Sequence, residues 1–513
     1  MLLPYAGIQM DEALFAGPYY QAVQREFRLR LFHHDIPLMV MTYIGTLKTL
    51  LFWPLIALFG RKFEANPHLA AWVLRLPTVL AAALTVFIFY HLASRAAGRR
   101  TAVIAALLLG CDPAFLLTNT FDWGPVALEH LLLVTGCFFL VRYAQNRLDR
   151  DLPLGFFFLG LALWNKAVFV WALAGLIVAV VSIFGRDVAK MITRRHLAIA
   201  AGGFLMGALP FVIYNGHRRG ETFRSSAHLQ PSGAPAKFIH VRGALGGYGL
   251  FGYIVAEDSA DNPKAPVSLR GRAAVFIRDH LGEHRTSGME YAALLALIAV
   301  PLWWRSRVAR FSLVFLGVAW FLMASTKDAG ASVHHTVLLW PFPQLFVAVA
   351  IAALPWRWAI AAICTVLVGL NLLVVNQYIY QFERNGADGV YSDAMYTLSE
   401  ALKDDPRRMT YVLDWGIQFP LDFLHNGRLK MRSGHDPFMA DTQTEWAKGA
   451  TERMLADRGA LFLAHAGKRE VFEGVRARFE KAVAEAGCQE DNLRTIPDSN
   501  GRAVFEIFQL SCR

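Results

Sequence analysis

Charged residues are scarce in this chain. Asp, Glu, Lys and Arg make up 18% of its 513 residues, against about 25% in soluble domains. Hydrophobic residues make up 55%, for a mean hydropathy of +0.35. A chain this apolar needs a solvent other than water for much of its surface. Cysteine is scarce too. There are five, with none of the spacings of a metal site. Cys111, Cys137 and Cys364 fall in apolar runs and read as core or lipid-facing thiols. Cys488 and Cys512 lie in a polar C-terminal stretch; an oxidising compartment would allow them to pair, and sequence leaves the geometry open. The Gly-rich stretch 243–252 lacks the Gly-Lys-Ser/Thr ending of a phosphate loop. No internal repeat, low-complexity segment or cleavable signal peptide stands out. The net charge of +11 comes with no basic stripe or recognition motif, so no nucleic-acid partner is expected.

What the chain has instead is a series of apolar runs approaching the roughly 20 residues that cross a bilayer, such as 73–93, 197–214 and 336–354. The charge excess sits between them. From Gln381 onward there are 18 basic and 21 acidic residues, whereas the rest of the chain has 33 basic and 19 acidic. Arg95, Arg99 and Arg100 mark one short loop, and Arg142, Arg147 and Arg150 a second. Arg186, Lys190, Arg194 and Arg195 mark a third, Arg305, Arg307 and Arg310 a fourth, and Arg357 a fifth. They alternate with loops almost free of Lys and Arg, such as 118–123 and 326–333. Short cytoplasmic loops favour Lys and Arg. The expected spans are therefore 74–93, 101–117, 124–142, 152–164, 167–184, 197–215, 289–304, 311–325, 334–354 and 359–379, with 216–288 and the tail outside.

Three features strain this scheme. The run 38–60 is apolar enough to span but would invert every later loop, so it is expected to be interfacial or re-entrant; Pro37, Lys48 and Pro54 agree. The span 152–164 is about 20 Å long at 1.5 Å per residue, too short for a core of about 30 Å. Lys166 should therefore sit below the outer surface. Finally, 1–10 is apolar but too short to cross before Asp11-Glu12, so either the chain begins on the outer face or the first part of a first span is missing. The expected fold is a polytopic α-helical membrane protein of about 10–11 spans with a soluble α/β domain. The membrane domain is 1–380, with outer loops 11–73 and 216–288, and the α/β domain is 381–513. In the latter, 410–413, 460–463 and 503–510 read as strands and 391–402 and 470–486 as helices.

Ionisable residues beside spans are costly and mark sites. Asp11, Glu12, His33, His34, Asp35, Lys48, Asp122, Lys166, His334 and His335 are expected near one membrane face, with Glu129 deeper. Carboxylates suit proton abstraction; lysine and histidine suit a phosphate. Each has a blander reading. Asp11-Glu12 fits a helix N-terminus, the lysines fit snorkelling, and Asp122 fits a cap. Adjacent histidines are poor metal-ligand spacing, and no metal or cofactor is expected.

The order of these features resembles the GT-C membrane glycosyltransferases, in the branch of protein O-mannosyltransferases and aminoarabinose transferases. Asp11-Glu12-Ala13-Leu14-Phe15 resembles the acidic opening of that family's first outer loop, and Ile36-Pro37-Leu38 and Leu58-Phe59-Gly60 its landmarks. Arg75-Leu76-Pro77 resembles the start of the next span, and the passage 98–113 the cytoplasmic turn and helix after it. Asp122 resembles a second acidic residue, and the segment 160–166 a Gly-Leu-Ala-Leu-x-x-Lys pattern. His334-His335 stands where the family usually has Arg-Tyr, which weakens a phosphate role there, since histidine is only partly charged near pH 7. The resemblance implies a polyprenyl-phosphate sugar donor, a protein, lipid or glycan acceptor, and inversion. It implies Asp11, Glu12 or Asp122 as base, and Lys48, Lys166, His334 and His335 around the phosphate, with His34 and Asp35 contributing from the loop. It further implies a bacterial inner or plasma membrane location among membrane lipids. A lipid or solute transporter, or a non-catalytic scaffold, is the competing reading.

Overall fold

The computed structural model describes residues 5–20, 28–257, 263–327, 329–439 and 444–512. Among them, six helices are long and apolar enough to cross a membrane: Pro67–Ala97, Val126–Asn146, Phe169–Met191, Arg194–His217, Arg307–Ala324 and Arg357–Asn385. Two bent pairs add up to two more spans. Arg99–Gly110 meets Pro113–Thr120 at 57°, and Val333–Leu339 meets Phe342–Ala352 at 51°. Asp151–Asn165 and Met289–Ile298 are shorter apolar helices.

Local signals set these boundaries. Asn66 caps the Leu69 amide and Pro67 opens the first long helix, a proline position that costs no hydrogen bond. That helix ends at Gly98, whose φ of 88° stops it. Its 31 residues extend about 46 Å, more than the hydrocarbon core needs, so Arg75 lies near its free end. Asp151–Asn165 is the opposite case. Its 15 residues reach only about 22 Å, and it packs closely on Arg194–His217. A Cβ on Gly160 would fall 2.2 Å from Phe204 O, and one on Gly207 2.2 Å from Phe157 O. The helix is held short of a full crossing, and Lys166 with it.

The Arg-rich turns gather at one end of the bundle. Arg95 contacts Gln145, Arg100 donates to Leu354 O, Arg195 faces Asp149 and Arg307 pairs with Asp187. The Arg-poor connections meet at the other end. The run 38–60 forms a helix of 13 residues, Leu47–Phe59, about 20 Å long and too short to cross. It follows a small antiparallel pair, β3 (Met39–Met41) and β4 (Ile44–Gly45), and the hairpin β1 (Arg28–Leu31) and β2 (His34–Pro37) precedes that pair.

The C-terminal region is an α/β domain. Its five strands are β5 (Thr410–Val412), β6 (Met431–Ser433), β7 (Leu461–His465), β8 (Cys488–Pro497) and β9 (Ala503–Cys512), in the order β6-β5-β7-β9-β8. β5 runs parallel to β6 and β7, and β9 runs antiparallel to β7 and β8. The expected strands at 410, 460 and 503 are present within a residue or two. The helices are shorter than expected, Ala394–Ala401 and Val475–Glu485. Strands β6 and β8 and helices Gln418–Leu424 and Glu445–Leu455 are additional to the expected elements. Cys488 and Cys512 are opposite one another in the β8–β9 register and form a disulfide. One hydrophobic core joins this domain to the membrane helices: Phe52, Ile56 and Leu74 pack with Leu398, Leu421 and Val504.

Candidate active site

The site lies where the Arg-poor connections converge. Gln9 caps the short helix Met10–Ala13 and accepts the Asp11 amide, while Glu12 reaches back to the Gln9 amide. This capping box fixes both acids, but on different sides. Glu12 is fully buried in a two-pronged ion pair with Arg75: Nε to Oε1 2.8 Å and NH2 to Oε2 2.8 Å. Arg75 also donates to the carbonyls of Ala6 and Gly7 and lies over the Phe121 ring. Bidentate pairing of this kind is strong and directional, so Glu12 holds structure. Asp11 stays partly exposed. Burial pushes its carboxyl above the ordinary value, opposed by Lys166, Gln9, Lys48 and the Trp123 indole.

Lys48 is buried in the first turn of helix Leu47–Phe59. Its Nζ lies 2.5 Å from Asp122 Oδ2 and faces the Phe15 and Phe52 rings. Asp122 Oδ1 accepts the Ala127 amide, so Asp122 both caps the start of helix Val126–Asn146 and pairs with Lys48. Lys166 follows the short helix. Its backbone bridges to Ile44, the Ala167 amide donates to Tyr43 O, and the Trp164 indole donates to Leu38 O. These bonds tie the loop carrying Lys48 to the turn carrying Lys166. Lys166 Nζ donates to Gly124 O at 3.0 Å. Among the described residues no carboxylate lies within ion-pair distance of it, although Asp11, Glu129 and Asp122 all act on its charge. Glu129 is deeper, held by Asn165 Nδ2 at 2.7 Å.

The histidines arrive on the second bent span. His334 stacks on Trp123 at 4.1 Å, and His335 lies beside His334. The other face of Trp123 is covered by Tyr253, also at 4.1 Å. Tyr391 packs edge-on to both rings. Sequence reasoning missed Trp123, Tyr253 and Tyr391; aromatic residues between spans are too common to single out. Asp35 is exposed in the β1–β2 hairpin, and among the described residues no hydrogen bond or ion pair joins it to the cluster. The His34 side chain lies outside the described residues. The structure thus brings Asp11, Asp122, Lys48, Lys166, His334 and His335 together, sets Glu12 aside on Arg75, and leaves the hairpin apart. No group of three or more His, Cys, Asp or Glu side chains among the described residues converges as metal ligands would.

Residues 52–214 match the family model of dolichyl-phosphate-mannose-protein mannosyltransferases. ArnT from Cupriavidus metallidurans in the apo state aligns with a TM-score of 0.58 at 14% identity, covering 98% of this chain and 94% of that one. The chain shares the fold of ArnT. ArnT from the same organism bound to undecaprenyl phosphate gives 0.56 at 12% identity, covering 98% and 95%. No curated protein matches the chain in sequence. The segment matched by the family model contains Arg75, Asp122 and Lys166; Asp11, His334 and His335 lie outside it.

Proposed function

We propose that this GT-C chain moves a sugar from a polyprenyl monophosphate to an acceptor hydroxyl on the outer face of a membrane, with inversion. Asp11 is the general base. It takes the acceptor O–H proton as that oxygen bonds to the anomeric carbon. The bond from that carbon to the phosphate oxygen breaks, and the lipid leaves as its monophosphate. Lys166, Lys48, His334 and His335 surround the departing phosphate, whose growing charge they stabilise in a site screened from water.

The carrying observation is the juxtaposition of Asp11, the carboxylate left partly exposed, with Lys166, a buried cation without an ion-pair partner. An unpaired buried ammonium is costly, and an incoming phosphate supplies the missing charge. The outer-face assignment is supported by the Arg-rich turns at the opposite end and by the Cys488–Cys512 disulfide. The protein would reside in a bacterial inner or plasma membrane, with the α/β domain outside. Purified protein incubated with polyprenyl-phosphate sugars and an envelope extract should release polyprenyl phosphate in step with product. Release by a wild-type sample no faster than by an Asp11→Asn sample would sink the reading.

A further inference from the structure

Helix Arg357–Asn385 begins as an apolar span and ends differently. Gln377, Gln381 and Asn385 follow one another at intervals of four, so they share one face. All three are more than nine-tenths buried. Buried amides are costly unless their hydrogen bonds are made. Here they are made only in part. Asn385 donates to Gln381 Oε1 and to Ala256 O, while Gln377 Nε2 and Asn385 Oδ1 have no partner.

This face borders a cavity of about 250 Å³ against helix Leu269–Leu281 and the segment around Glu257. That is near the small end of ligand pockets, about 300–1,000 Å³, and suits one sugar ring. Most of the charge around it is paired, and Arg384 is turned to the Lys264 carbonyl. Arg285 pairs with Glu257 and Glu283, and Arg278 lies 3.8 Å from Glu283. An anion would have to break these pairs. A neutral polyol would not, because each hydroxyl both donates and accepts and meets the open amide donor and the open carbonyl.

The cavity and the Asp11 cluster share a wall. Asp388 donates to Ile254 O and Ala256 to Gly386 O, fastening the loop to the end of this helix. The same loop carries Tyr253, which stacks on Trp123 beside Asp11. We propose that the Gln377–Gln381–Asn385 cavity is a carbohydrate subsite that holds one sugar unit of a glycan acceptor while its hydroxyl reaches Asp11. This rests on the transferase reading above.

The test is saturation-transfer NMR on the full chain in nanodiscs. The probes are methyl glycosides of mannose, glucose, galactose and N-acetylglucosamine, each at millimolar concentration. At least one glycoside should show transfer, and the signal should fall at least fivefold in Gln377→Leu and in Gln381→Leu samples that keep the wild-type melting temperature. Arg384→Lys, at the cavity rim, guards against misfolding: it should weaken the signal less than either. Ten millimolar inorganic phosphate should leave the signal intact, and its loss would make this an anion site and overturn the proposal. So would the absence of transfer from every glycoside, or equal transfer in wild type and both Gln variants. Asp11→Asn separates the two readings, because it should lower turnover about 10²–10⁴-fold and keep the glycoside signal. Turnover without glycoside binding would remove the subsite and leave the transferase standing.

Discussion

Glu12 and Arg75 form a buried two-pronged ion pair, with both nitrogen–oxygen distances at 2.8 Å, while Asp11, one residue earlier, takes no part in it and stays partly exposed. Of these adjacent carboxylates, Glu12 ties the N-terminal segment to helix Pro67–Ala97, and the duty proposed for Asp11 is chemical.

Substitution should separate those duties. Asp11→Asn should lower transfer about 10²–10⁴-fold, the usual contribution of a general base, with melting temperature kept or raised. The sign follows from its raised carboxyl: the folded state holds the proton more tightly, so the charged form at neutral pH costs stability. Glu12→Gln should instead destabilise the protein by about 3–5 kcal/mol, because Arg75 is left buried and uncompensated. Thermal melts and turnover on the same samples decide this, and an unstable but fully active Asp11→Asn protein would reverse the assignment.

Lys166→Met keeps length and apolar packing and removes the charge. Polyprenyl phosphate should then bind at least tenfold more weakly. Lys166 also favours the charged form of Asp11, so its loss should move the acid limb of kcat/KM to higher pH. Unchanged lipid-phosphate binding would mean that Lys166 has no part in the phosphate site.

Lys48 and Asp122 should behave as a coupled pair. Lys48→Met alone leaves Asp122 buried and charged and should cost about 3–5 kcal/mol. Lys48→Met combined with Asp122→Asn should recover much of that in a double-mutant cycle. Additive losses would show that the 2.5 Å contact contributes little.

Asp422, buried in helix Gln418–Leu424, has its carboxyl pushed up to about 7 by burial. The unfolded value is about 3.9, so stability should be lost as pH rises from about 4 to 7 and stay level above. Asp422→Asn should raise the melting temperature at pH 8 and not at pH 4. An equal shift at both would rule out the charge as the cause.

Topology is open to labelling. Single cysteines at the exposed positions Ala65, Ser232 and Asp404 should all react with an impermeant thiol reagent in intact spheroplasts. Reaction at Ser232 but not at a fourth cysteine placed at exposed Asp35 would make 38–60 a true span.

The sequence alone determined the solvent and the order of the elements. Scarce charge, apolar runs and Arg-rich turns are local properties of the chain, and they established the membrane class, the bundle's two ends and the short helix before Lys166. Only the tertiary structure decided which charges are free. Glu12 meets Arg75 across 63 residues and Lys48 meets Asp122 across 74. Nothing in the spacing of those residues chooses these partners over the other charges nearby. Packing chooses them, because in a low-dielectric interior an ion without a counter-charge within a few ångströms is costly, and only the assembled helices set those distances. The same holds for Cys488 and Cys512, whose pairing depends on the β8–β9 register, and for Trp123, which became part of the site when Tyr253 and His334 closed on its two faces.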